Sequence, residues 1–365
     1  MDYSSERAHG CRISQYVHRS LTHLALENDV LRVTILADKG ADIVEFRHKP
    51  SDTDFLWKER AGIRVPGMQM STISSSLGNN LDWYEGGWHE CLPGGGPAIV
   101  HGAQQGLHGE AALLPWSWAV EEDTPDCIQL LLSCRLIRLP LRVLKRLTIR
   151  AGSAKLQIEE KLHNESAVQL QFLWGHHPTF GAPFLEENCR LDVPARTFRS
   201  QPGFSAPKMF FAPGTRGAWP MASGEDGREV DLSRVPPQGS CAAGLLCLTV
   251  DEGWYAITNT RTGVGFGLRW DSVLFPHLYY WHVFNGIPDY PWFGTAYVVG
   301  LEPWTSFPMD HAAATEAGTC LVVPGKGQVD TTLIAVAYSG RGPVIRISPE
   351  GNVEQGDENR SRGRG

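Results

Sequence analysis

Glu302 stands in the stretch Val299-Gly300-Leu301-Glu302-Pro303-Trp304, whose apolar neighbours leave it little water. A carboxylate so placed holds its proton more tightly than usual and is a competent base near neutral pH. Two adjacent histidines, His176 and His177, lie between Gly175 and Pro178. A third, His108, sits in Gly106-Leu107-His108-Gly109-Glu110. Imidazole titrates at about 6.5, which suits it to giving and taking protons. One carboxylate with several imidazoles is the set that opens a cyclic hemiacetal. One group removes the anomeric hydroxyl proton while another protonates the ring oxygen, and each positioned transfer is worth roughly 10²–10⁴-fold. Tryptophans 83, 88, 281, 292 and 304 sit in or beside Gly- and Pro-rich connections. Indoles there can stack on the C–H faces of a sugar while polar neighbours bond its hydroxyls. The residues expected to bind substrate are His176, Asn79, Asn80, Trp88, His89, Glu90, Trp281 and Trp304. No metal or other cofactor is expected.

The elements that must position these groups read as strands. Val168, Leu170, Phe172 and Trp174 share one parity and Gln169 and Gln171 the other, as in a strand with one buried face. Pro178 removes a backbone donor, which places the histidine pair at or just past that strand's end, on a sheet rim. The stretch from Trp116 to Trp174 gives consecutive strands separated by turn signals such as Ala151-Gly152-Ser153, hence an antiparallel sheet. Residues 58–106 read as one long functional loop and residues 1–20 carry little pattern. No amphipathic helix of useful length is expected. So many strands with almost no helix must bury their apolar faces sheet on sheet, which makes the fold class an all-β, large antiparallel β-sandwich. A single domain over 1–340 and a disordered tail over 341–365 complete the expected organisation.

The chain has 365 residues, 42% of them hydrophobic, enough for a large core. Its net charge of -7, with no basic cluster, argues against nucleic acid as a partner. No apolar run reaches the length of a membrane span, and the first residues lack a signal pattern, so a cytoplasmic location is expected. The eight cysteines form no CxxC pair and read as reduced, mostly buried thiols. Nothing in the sequence fixes an oligomeric state.

The sequence resembles the aldose 1-epimerase (galactose mutarotase) superfamily over about residues 20–325. Asn28–Glu45 is similar to that family's opening hairpin, Leu107–Glu110 to its His-Gly motif, His177–Phe180 to its His-x-Tyr-Phe motif and Gly300–Thr305 to the segment carrying its base. The resemblance implies a galactose mutarotase-like sandwich and a cofactor-independent anomerase. It makes Glu302 the base, His177 the general acid and His108 the partner at the ring oxygen, with His176 in a supporting or hydroxyl-binding place. Thr179 replaces the usual Tyr, and Gly78-Asn79-Asn80 stands where many members have Gly-Asn-Arg. Those departures, with Gly86–Pro97, are similar to a divergent branch. One alternative is a non-catalytic carbohydrate-binding protein on the same fold. Another is a metal-dependent isomerase using His101, His108, His176 and His177, which would leave Glu302 idle.

Overall fold

The computed structural model describes residues 7–64, 76–224 and 227–357, with side chains described from residue 80 onward in the helix that opens the second stretch. Strand makes up 51% of the described residues and helix 5%, so the fold is all-β as expected. Two antiparallel sheets dominate, one of twelve strands and one of eight. Their facing sides share one core, in which Phe46 and Phe180 of the larger sheet both meet Phe266 of the smaller, with ring centroids 5.1 and 5.0 Å apart. Asn28 pins the opening hairpin to the second sheet. Its Oδ1 accepts from the backbone of Val30 and Leu31, and its Nδ2 donates to the carbonyls of Arg150 and Ser153. No helix among the described residues is long and apolar enough to cross a membrane.

The centre of the larger sheet holds the strands that matter for chemistry, in the spatial order Trp88–Cys91, Gly175–Gly181, Tyr297–Trp304, His277–Phe284 and Ala242–Val250. The histidine pair is therefore not at a rim. The expected strand 168–174 ends at Phe172, pairs with Leu321–Val323, and the chain re-enters the main sheet at Gly175. Pro178 is tolerated in mid-sheet because the ladder to the Glu302 strand is open there. Partners are bonded at Gly175 with Trp304 and at Thr179 with Gly300, and between them Pro178 and Pro303 have no N–H to give.

Three further expectations are corrected. The supposed loop 58–106 contains helix Ser76–Trp83, strand Trp88–Cys91 and a small hairpin at Ala98–Gln105. Its central strand spans only a few residues and is held by sequence-distant partners, so local composition hides it. Arg12–His18 forms an edge strand on Leu21–Glu27. The supposed tail is ordered through residue 357, where the hairpin Val344–Ile347 with Val353–Gln355 buries Val344 and Ile347 against Trp254 and Tyr338. All eight cysteines are free thiols.

Candidate active site

Antiparallel register puts directly opposed residues on the same face. His89 faces His177 across one pair of strands, Glu302 takes the position opposite His177 on the next strand, and Tyr279 faces Glu302 on the one after. The resulting row crosses the sheet on the face turned away from the core. His177 Nε2 lies 3.3 Å from Glu302 Oε1, and Trp304 Nε1 donates to Glu302 Oε2 at 3.0 Å. The ring of His89 stacks beneath His177 at 4.6 Å. His108 reaches the same place from its loop. Its Nδ1 is 2.9 Å from His89 Nε2, and its ring centroid is 4.8 Å from that of His177. That loop needs the unusual φ of +61° at His108 and +75° at Gly109, where a side chain would strike the Leu92 carbonyl.

Above this row lies a cavity of about 230 Å³ lined by Asn80, Tyr84, His108, His177, Trp281, Trp292 and Glu302, with aliphatic side chains completing the wall. Burial raises the Glu302 carboxyl to about 8, against a smaller opposing effect of the Trp304 hydrogen bond. Burial lowers His177 far below the usual imidazole range and brings His108 to about 4. At neutral pH the site therefore carries one proton on the carboxyl and none to spare on the rings.

The expected binding residues divide. Asn80 and Trp281 line the cavity, as do His108, His177 and Glu302. The side chain of Asn79 lies outside the described residues. His89 does not line the cavity and instead hydrogen-bonds His108 from beneath. Trp304 is fully buried and touches the carboxylate rather than open space. Trp88, Glu90 and His176 are corrected outright, because strand alternation turns them into the core. Trp88 meets Phe266, while Glu90 and His176 join an ion cluster reaching the second sheet. In it Lys145 Nζ is 2.8 Å from Glu90 and 3.3 Å from Glu160, and His176 Nε2 is 3.1 Å from Glu160. Tyr84 is not among the expected binding residues, and only its place beside Gly86-Gly87 hinted at it, whereas Trp292 is one of the indoles expected to stack on a sugar. Tyr84 Oη donates to Thr179 Oγ1 at 3.3 Å, so the Tyr-to-Thr departure has a hydroxyl network of its own.

The metal set His101, His108, His176 and His177 is not assembled. His101 Nε2 accepts from the Gln171 backbone, and His176 faces the core. A different trio, His89, Cys91 and His108, has ligand atoms within 4.8 Å of one another. It could hold a soft divalent ion only by giving up the His89–His108 hydrogen bond. Dialysis against EDTA is expected to leave catalysis unchanged. A loss that zinc restores would assign the trio a metal.

Gly300 makes room for the carboxylate, since a Cβ there would come 2.9 Å from Glu302 Oε1 and 3.2 Å from the Trp281 ring. Gly300→Ala is expected to slow turnover at least about tenfold by shifting Glu302 off its geometry, with the thermal unfolding curve nearly unchanged. An unaltered rate would mean that Glu302 tolerates displacement.

The family described as "Domain of unknown function (DUF4432)" matches residues 18–210, a span that holds His89, His108 and His177 and stops before Glu302. The chain belongs to the DUF4432 family. No curated protein matches it. Solved structures do. A candidate aldose 1-epimerase from Klebsiella pneumoniae superposes with a TM-score of 0.72 at 17% identity, over 92% of this chain and 85% of that one. A galactose mutarotase related enzyme from Lactobacillus acidophilus gives 0.58 at 17%, over 87% and 98%. A galactose mutarotase-like protein from Clostridium acetobutylicum gives 0.60 at 13%, over 90% and 99%. This DUF4432 chain thus has the mutarotase-like fold that its motifs led one to expect.

Proposed function

We propose that the protein interconverts the anomers of a reducing sugar by acid–base ring opening. The observation that carries this is the contact of Glu302 with His177 at 3.3 Å, with His108 across the same small cavity. In the reactive arrangement the site's one proton sits on an imidazole rather than on the carboxyl: Glu302 takes the proton of the anomeric hydroxyl, and the imidazole at the ring oxygen delivers its own. After rotation about C1–C2 the ring closes by the reverse transfers, so every proton is returned. The burial of Glu302 and His177 limits the access of water to the open-chain aldehyde between the two events. Saturation-transfer NMR on freshly dissolved aldoses is the direct test, since it detects anomer exchange in whichever sugar is the substrate.

Two outcomes check the roles. His177→Asn is expected to slow exchange by about 10²-fold or more, and a wild-type rate in that variant would hand the acid role to His108. The reactive arrangement, a Glu302 carboxylate with a protonated imidazole, holds the same one proton as the resting pair, so kcat/KM should stay level up to about 8, the value that burial gives the carboxyl, and fall as that proton is lost. A rate that climbs through the same pH would mean that the ring oxygen takes its proton from a group other than these imidazoles.

A further inference from the structure

We infer that the sugar this cavity takes is a neutral monosaccharide poor in hydroxyls away from its anomeric carbon, of the deoxyhexose class. The inference rests on the anomerase reading only for which end of the sugar meets Glu302. Size comes first. At about 230 Å³ the cavity is smaller than the roughly 300–1,000 Å³ typical of drug-sized ligands, so it fits one sugar ring and no chain of them.

Charge comes second. Among the described lining residues there is no Lys or Arg, and Glu302 is the ionisable acid. Residues 65–75, which stand outside the description, carry no Lys or Arg in the sequence either. A phosphate or carboxylate on the sugar would enter beside Glu302 with no cation to bind it. Arg199 shares the cross-sheet row but lies three strands from Glu302, roughly 14 Å at strand spacing, with its guanidinium over the Phe307 ring.

The polar inventory comes third. Among the described residues it consists of Asn80, His108, His177, Glu302 and the indole N–H groups of Trp281 and Trp292, with the Tyr84 hydroxyl turned to Thr179. The two histidines and the carboxylate are committed to the anomeric hydroxyl and the ring oxygen. The indole N–H groups can donate, and among the described side chains Asn80 is what remains to accept from every other hydroxyl. It is only 4% exposed, and its Oδ1 has no partner in the protein, so it has one acceptor ready for a hydroxyl. Opposite it, Trp281, Trp292, Leu81, Ile287 and Leu107 present rings and methyl groups. A fully hydroxylated hexose buried there would leave hydroxyls without partners, an uncompensated desolvation. A methyl group in place of a hydroxymethyl would instead bury apolar surface against apolar surface.

Matched pairs decide the matter: D-galactose with D-fucose, D-glucose with D-quinovose, and L-mannose with L-rhamnose, together with galactose 6-phosphate and galacturonate. Anomer exchange is read by NMR and binding by quenching of tryptophan fluorescence. In at least one pair the deoxy sugar should show a kcat/KM about tenfold to hundredfold above its parent, with the phosphate and uronate inert. Preference for a parent hexose, the phosphate or the uronate overturns the inference while leaving the anomerase reading intact. Tighter binding of a deoxy sugar with no exchange of any sugar supports the inference and overturns the anomerase reading. Neither binding nor exchange across the panel overturns both.

Discussion

Glu302→Gln is expected to slow anomer exchange by about 10²–10⁴-fold and at the same time to make the protein more stable. The two effects have one cause. In an unfolded chain this carboxyl titrates near 4.5, and in the fold it holds its proton up to about 8. Below pH 4.5 both states are protonated and the position costs nothing on that account. As pH rises, the unfolded chain ionises first, so the folded state is progressively disfavoured until its own carboxyl ionises near 8. Across that window the disadvantage grows to about 3 kcal/mol at neutral pH, at about 1.4 kcal/mol for each tenfold difference in proton affinity between the two states. Glutamine keeps the size, can still accept from Trp304 Nε1, and does not titrate. Urea unfolding at about pH 5 and about pH 8 measures this, with the variant gaining over the wild type only at the higher pH. Unchanged stability at pH 8 would mean that the carboxyl is better solvated than its burial implies, and surviving exchange would remove Glu302 from the chemistry.

Lys145→Met is expected to cost about 3–5 kcal/mol of stability, the usual consequence of removing one partner from a buried ionic cluster. Lys145, Glu90, Glu160 and His176 form a closed group between the sheets, also tied by the bond from Trp174 Nε1 to Glu90 Oε1 at 2.8 Å. Burial works to lower the Lys145 ammonium, but Glu90 and Glu160 outweigh it and raise it. For Glu160 burial works upward, while His176 and Lys145 bring it below its ordinary value. Without the lysine both carboxyls are stranded, so the deficit should shrink in acid as they take up protons. Adding Glu90→Gln to Lys145→Met should recover part of the loss. The protein that remains folded should exchange anomers at close to the wild-type rate, because this cluster lies on the core side of the strands. A large fall in kcat with normal stability would place Glu90 and His176 back in contact with substrate.

The fold was legible because alternation is strong in the long strands. Within 128–134, 141–149 and 156–162 every second position is apolar apart from Lys145 and Glu160, as two sheets with a shared core require. That Glu302, His177 and His108 could meet was legible too, because a carboxylate and imidazoles in apolar surroundings stand out in the sequence. Their neighbours were not. Whether His176 or His177 faces the cavity depends on the register between strands far apart in sequence, and one residue's difference inverts it. The same parity sends His89 to the site and Glu90 to the core. Pro178 misled for a different reason. It ends a strand only when its missing N–H is needed, and between the pairs Gly175–Trp304 and Thr179–Gly300 the ladder to the Glu302 strand is open. Short pieces such as Trp88–Cys91 and Val344–Ile347 are made by tertiary contacts, so their own composition says little.

The cavity draws on two kinds of backbone. His177, Glu302 and Trp281 come from hydrogen-bonded strands at the middle of a sheet, whereas Leu107, Phe204, Ile287 and Met309 come from connecting segments, and Asn80 and Leu81 from one short helix. Connections accept substitutions and length changes that a central strand does not. On the ring-opening chemistry proposed above, selection can therefore redraw the wall around a fixed floor of Glu302 and His177 and change the sugar without changing how its ring is opened.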